Sequence, residues 1–223
     1  MVSKLKNDKS KIRQAVKSRR NSLSRQEVQE KSLAICHNIK KHPSFTLAKK
    51  LGVYMANGQE VDLSYLLHDC WRLNKECYAP VIISNLNTAS PVPKMTFNKF
   101  DCLPPTNKVG NTNHNGGNLW RPNIYGIQEP YKTTAITLWT LDAVFMPLVA
   151  FDERGGRLGM GGGYYDHTFA FCQGDKSDNM RFTKRPLLIG VAYGLQQLSN
   201  IPMETTDINM DYVVTENGWL EFK

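Results

Sequence analysis

From Leu141 to Phe151 the chain is almost uninterruptedly apolar. Twelve residues soon after, Gly155 to Asp166, hold six glycines, Arg157, Tyr164, Tyr165 and Asp166. An apolar run of that length reads as a strand buried on both faces, as in the middle of a parallel sheet. Tyr165 to Cys172 reads as the start of a helix. Strand, glycine turn and helix in that order point to a layered α/β fold. Glycine backbone at such a turn can approach a ligand closely, and its N–H groups can point at phosphate oxygens. Arg157 can fork onto those oxygens, and Asp166 can hold a magnesium ion.

Two standard phosphate motifs are absent. A Walker A loop needs Gly-Lys followed by Ser or Thr, and no such triplet occurs. The dinucleotide fingerprint G-x-G-x-x-G fails because Tyr164 stands where the third glycine should follow Gly159 and Gly161. A plain flexible turn is the alternative.

The chain has 223 residues, of which 41% are hydrophobic, so it can bury a substantial core. No apolar run is long enough for a membrane span, and the charged N-terminus lacks the apolar stretch of a secretory signal. Cys36, Cys70, Cys77, Cys102 and Cys172 form no C-x-x-C pair, which points to reduced thiols in a cytoplasmic protein. The net charge of +8 resides in residues 1–25, where nine Lys or Arg face Asp8 alone; the remainder is balanced. That segment suits a nucleic acid, an acidic membrane surface or a small polyanion such as ATP, or is a solvated helix face. A mitochondrial presequence is the weaker option.

Lys9 to Asn21 has helical spacing, with Ile12, Ala15, Val16 and Arg19 on one side and Lys9 and Arg13 one turn apart on another. Ser24 to Glu27 is a capping box opening a helix to about Lys40. Strands are expected at 50–56, 77–83, 95–100, 141–150, 187–193 and 211–215, and an Asp62-capped helix through Leu73. Residues 104–118 hold five Asn and three Gly and read as an inserted loop. The alternation predicts one three-layer α/β/α domain over 1–223, with a mostly parallel, Rossmann-like central sheet. Ligands in such sheets bind at the carboxyl ends of strands, where the glycine loop and Gly58 to Glu60 both fall.

Met146 to Asp152 followed by Arg157 to Asp166 closely resembles the signature of the 5-formyltetrahydrofolate cyclo-ligases, also called methenyltetrahydrofolate synthetases. Lys9-x-x-x-Arg13, the Glu60 segment, Ile127 to Pro130 and Asp207-x-x-x-Asp211 support the likeness over nearly the whole chain. The resemblance implies conversion of 5-formyltetrahydrofolate and ATP to 5,10-methenyltetrahydrofolate, ADP and phosphate, with Mg²⁺. It implies ATP contacts from Lys9, Arg13, Arg157, Leu158, Gly159, Met160, Gly161, Gly162, Gly163, Tyr164 and Tyr165, with Arg157 and Lys9 catalytic. Folate contacts are implied for Met55, Glu60 and Met160 to Tyr164, and magnesium for Asp166 and Asp207. Many members carry a basic residue where Met160 stands, and some a Lys at Gly162, so only backbone contacts carry over there. The expected partners are the two substrates, with no nucleic acid or membrane, and the chain is expected to be a monomer.

The chemistry wants such residues. A formyl amide has a poor leaving oxygen; phosphorylation by ATP makes it a phosphate that a nitrogen can displace. The step needs alignment and charge neutralisation at the γ-phosphoryl group rather than a protein nucleophile. Arg157 pairing with Asp152 or Glu153, and Asp166 as a helix cap, remain the plainer readings of those residues. His37, His42, His68, His114 and His167 have no metal-like spacing. Two other functions stay open on the residues alone: a sugar-phosphate isomerase or similar phosphate enzyme, and a nucleic-acid binder using the basic helix.

Overall fold

A computed structural model of the chain describes residues 2–83, 93–104, 120–173 and 184–222, with side chains from residue 5 onward. The expected loop 104–118 lies outside these residues apart from Pro104, and so does His114.

Helix α1 runs Val2–Asn21 and starts two turns before Lys9, since nothing in residues 2–8 breaks a helix. Its inward face is Lys9, Val16 and Arg20, all buried, with Ile12 and Arg13 half-buried. Ala15 and Arg19, expected on the apolar side, are exposed. The face is rotated because it carries cations into the molecule, which apolar periodicity cannot reveal. Helix α2 (Arg25–Lys41) opens with the predicted box: Ser24 Oγ accepts from Glu27 N–H at 3.2 Å, and Glu27 Oε2 accepts from Ser24 N–H at 2.7 Å. A short α3 (Pro43–Thr46) leads to β1 (Lys50–Gly52), shorter than expected. Helix α4 (Ser64–Arg72) has Leu63, not Asp62, at its cap position; Asp62 instead accepts from Ser64 N–H at 2.8 Å.

Next come β2 (Glu76–Ile83), β3 (Lys94–Phe100), the hairpin β4 (Trp120–Pro122) and β5 (Gln128–Pro130), and β6 (Ala135–Ile136). The long apolar run divides into β7 (Ala143–Pro147) and β8 (Ala150–Phe151), the latter in a hairpin with β9 (Arg157–Leu158). Pro147 has no N–H to continue the ladder. The carbonyls of Leu148 and Val149 are taken by the buried Gln196 side chain, at 2.8 and 3.0 Å. Helix α5 is only Tyr164–Thr168, followed by a 3-10 turn over Ala170–Gln173, where one longer helix was expected. Strands β10 (Leu187–Val191), β11 (Tyr212–Thr215) and β12 (Gly218–Glu221) close the sheet.

The main sheet has the order β12-β11-β10-β7-β1-β2-β3-β6. Its inner five strands are parallel, and the outer pairings are antiparallel. Along β7, Ala143 and Phe145 join the core under α2, α3 and α4, while Val144 and Met146 join the core under α5 with Phe97, Phe169 and Met210. Both faces are thus covered, and a third cluster seats α1 through Val16 on Val149, Ala150, Leu158 and Ile201. Numbered among themselves, the parallel strands run 2-1-3-4-5, which puts the reversal of strand order between β1 and β7. Chains leaving those two strands at their carboxyl ends diverge to opposite faces and open a crevice.

Candidate functional site

A cleft of about 650 Å³ opens at that reversal. It gathers every residue that the resemblance assigns to the two substrates or to magnesium: Lys9 and Arg13 of α1, Met55 and Glu60 beyond β1, Arg157 and Leu158 of β9, the 159–163 loop, Tyr164, Tyr165 and Asp166 of α5, and Asp207. These come from four separate stretches of chain.

One end is cationic. Lys9 Nζ lies 2.6 Å from Asp207 Oδ2 and 3.4 Å from Glu204 Oε2. Arg13 Nε donates to the Gly159 carbonyl at 2.8 Å, fastening helix to loop. Arg157 Nη2 donates to Asp166 Oδ1 at 2.7 Å, and its guanidinium carbon sits 5.5 Å from the centre of the Tyr165 ring. Its Nε is buried and has no partner among the described residues. Neither Asp152 nor Glu153 takes Arg157. Asp152 is fully buried and accepts from the N–H groups of Arg154, Gly156 and Ile201, locking the β8–β9 turn that presents Arg157. Nor is Asp166 a cap: Gly163 holds that position, at φ +66°, while Asp166 accepts from Ile208 N–H at 3.2 Å. Gly161 has φ +103°, a region closed to other residues, and a Cβ there would stand 3.5 Å from the Arg13 guanidinium carbon.

The other end carries fewer charges. Tyr54 is buried and donates to the Val61 carbonyl at 2.7 Å. Glu60 Oε2 accepts from Asn57 N–H at 3.0 Å. Burial raises the pKa of Glu60, opposed by the Asn57 hydrogen bond and by the charges of Arg20 and Lys17. Burial also pushes up the Tyr165 phenol.

Some walls were not read from the sequence. Lys6 lines the cationic end, three residues before Lys9, and that spacing was a legible signal. The β4–β5 hairpin forms a side wall through Asn123, Tyr125, Ile127 and Glu129. Glu129 is buried, and its Oε1 accepts from Ile82 N–H and Asn123 Nδ2, both at 2.9 Å. Asn123 Oδ1 in turn accepts from Tyr125 N–H, and the Tyr125 hydroxyl meets that of Tyr164 at 3.3 Å. His167 stands exposed on the rim.

Among the described residues no three His, Cys, Asp or Glu side chains form a metal cage. A magnesium ion needs none: it takes one or two carboxylates and leaves its other positions to water and phosphate oxygens. Asp166 and Asp207, both on the cleft and each held by a cation, fit that donor set.

A mostly parallel sheet with its cleft at the strand-order reversal, lined by a glycine loop and converging cations, defines a layered α/β protein with its candidate site where such sheets bind ligands. The 5-formyltetrahydrofolate cyclo-ligase family model matches residues 5–216, and the chain belongs to that family. The 5-formyltetrahydrofolate cyclo-ligase of Haemophilus influenzae is 32% identical over 163 residues, 72% of each chain. A probable 5-formyltetrahydrofolate cyclo-ligase of Caenorhabditis elegans is 28% identical over 99% of this chain and 98% of its own. The solution structure of Aquifex aeolicus 5,10-methenyltetrahydrofolate synthetase superposes with a TM-score of 0.72 at 26% identity, covering 96% of this chain and 93% of that one. No helix among the described residues is long and apolar enough to cross a membrane.

Proposed function

We propose that the chain converts 5-formyltetrahydrofolate to 5,10-methenyltetrahydrofolate at the expense of ATP, within the single cleft described above. The observation that carries this is the convergence of Lys9, Arg13, Arg157 and the glycine loop at one end of a cleft whose other end holds Met55 and Glu60, in a chain of the cyclo-ligase family.

The formyl oxygen attacks the γ-phosphorus, the bond to the β-phosphate oxygen breaks and ADP leaves. N10 then attacks the phosphorylated formyl carbon and loses its proton, and the C–O bond breaks, so phosphate departs with the former formyl oxygen. Lys9, Arg13 and the backbone of Gly159 to Gly163 hold the phosphates, with Leu158, Met160, Tyr164 and Tyr165 around the nucleotide. Arg157 bears on the transferring phosphoryl group, with fork geometry and an Nε that has no partner among the described residues. Asp166 and Asp207 would hold Mg²⁺, which supplies charge neutralisation at the phosphate oxygens. Glu60 accepts from the N–H donors of the pterin, Met55 packs on it, and the Met160 to Tyr164 stretch borders both ligands.

On this assignment Lys9 and Arg13 of α1 serve ATP rather than a nucleic acid, and one monomer completes the site. The free thiols of all five cysteines suit the cytoplasm. An isomerase would use the same phosphate end without ATP, and the family match favours the ligase.

The test is to mix protein, 5-formyltetrahydrofolate, ATP and Mg²⁺ and follow the near-ultraviolet absorbance of the methenyl product. A rise that needs both ATP and Mg²⁺ is expected; a rise without ATP would sink the mechanism. Lys9→Ala is expected to raise KM for ATP by about tenfold or more, the worth of a charge-assisted hydrogen bond, and KM for the folate far less. Steady-state titration of each substrate checks this. An effect confined to the folate would move α1 to the other end of the site.

A further inference from the structure

Helix α1 reaches both ends of the cleft. Lys9 and Arg13 stand at the phosphate end, and two to three turns further on Arg20 lies behind Glu60. Arg20 is a buried cation, its side chain 7% exposed, and it pairs with Glu60, Nη1 to Oε1 at 4.0 Å. Its Nε is buried with no partner among the described residues. The Glu60 side chain is itself only 11% exposed and has, among the described residues, one close hydrogen bond, from Asn57 N–H to Oε2. A carboxylate so enclosed stays charged only if a neighbouring charge opposes its desolvation.

We propose that Arg20 is a positioning residue for substrate recognition: it keeps the Glu60 carboxylate charged and aimed, so that Glu60 can accept the adjacent N–H donors of a reduced pterin. This rests on the assignment of Glu60 to the folate. A charged carboxylate can accept from both donors at once, whereas a protonated one presents a donor of its own and loses half the match. The groups facing Glu60 are Arg20 and Lys17 of α1, Tyr54 beyond β1 and Tyr165 of α5. Arg20 is first among the charges that oppose the raising of the Glu60 pKa by burial. The direction follows. Without Arg20, Glu60 takes up its proton at higher pH, so the acid limb of kcat/KM for the folate moves upward.

The experiment measures kcat/KM for 5-formyltetrahydrofolate from pH 6 to 8.5, at saturating ATP, in wild type, Arg20→Met, Arg20→Lys and Glu60→Gln. The Arg20→Met, Glu60→Gln double variant is run beside them. Because Arg20 is buried, thermal unfolding reports which variants fold, and Arg20→Lys keeps the charge if Arg20→Met does not fold. The expected result is a loss of about tenfold at pH 6 in Arg20→Met, shrinking to under about threefold at pH 8.5. KM for ATP stays within about twofold, Arg20→Lys recovers most of the loss, and removing Arg20 does nothing further once Glu60 is glutamine. A loss equal at every pH, or one that persists in the Glu60→Gln background, overturns the role of Arg20 and marks it as structural. If Glu60→Gln raises the folate KM while the Arg20 variants match wild type, the inference about Arg20 fails alone. If Glu60→Gln leaves the folate KM unchanged, the assignment of Glu60 fails and the inference with it.

Discussion

Replacing Arg157 by alanine is expected to lower kcat by about 10³-fold, within the range found when a cationic or hydrogen-bonding group is removed from a transferring phosphoryl or acyl group. The geometry explains why one side chain weighs so much. Arg157 is almost fully buried on β9, its turn is locked by Asp152, and its Nη2 is fixed on Asp166 at 2.7 Å. Little reorganisation is left to pay when charge develops on the phosphoryl oxygens. Arg157→Lys should recover only part of the rate, since an ammonium is a point charge without the fork. The ion pair with Asp166 is lost too, but Asp166 keeps the Ile208 N–H, so the fold should survive and circular dichroism should stay near native. Asp166→Asn should also abolish most turnover, with the remainder needing more Mg²⁺. Turnover in Arg157→Ala above about a tenth of wild type would remove Arg157 from the phosphoryl group.

Asp152→Ala should be the most damaging single change to stability, about 4 kcal/mol. It strands the N–H groups of Gly156 and Ile201 in the interior at about 1–3 kcal/mol each, and that of Arg154 nearby. In a chain of this size that corresponds to a fall in Tm of about 10 °C, which calorimetry or thermal circular dichroism would show. The pH dependence has a definite sign. Burial alone would raise the Asp152 pKa, but the Ile201 N–H, the Arg154 guanidinium and N–H and the Gly156 N–H outweigh it and hold it below the usual value of 3.8. A depressed carboxylate stabilises fully above its unfolded pKa and loses that contribution as pH falls through the folded one. The gap between wild type and Asp152→Ala should therefore be constant from neutral pH down to about 4 and narrow below it. A gap that widened in acid would mean that Asp152 is not the charged acceptor seen in the β8–β9 turn.

Local signals were legible where neighbours in sequence settle the structure. The Ser24–Glu27 box needs only four residues, and it forms as read. The apolar interiors of β7, β10 and β11 announce strands buried on both faces, because covering layers leave no polar side. The glycines at 161 and 163 do adopt left-handed backbone that other residues resist. Less visible was the rotation of α1, since the inward Lys9 and Arg20 look like surface residues until their carboxylate partners are known. The break of the 141–151 run into two strands was hidden for a similar reason. The group that satisfies the freed carbonyls is Gln196, nearly fifty residues away.

The sequence by itself determined the class of sheet and the family, because these rest on composition, local periodicity and contiguous motif. Tertiary structure alone decided who pairs with whom: Arg157 with Asp166 and not Asp152, Lys9 with Asp207, Arg20 with Glu60, Glu129 with the Ile82 N–H. Charges in a chain are satisfied by whatever the fold brings within a few ångströms. When the partners lie between 9 and 198 residues apart, spacing along the chain holds little record of the choice.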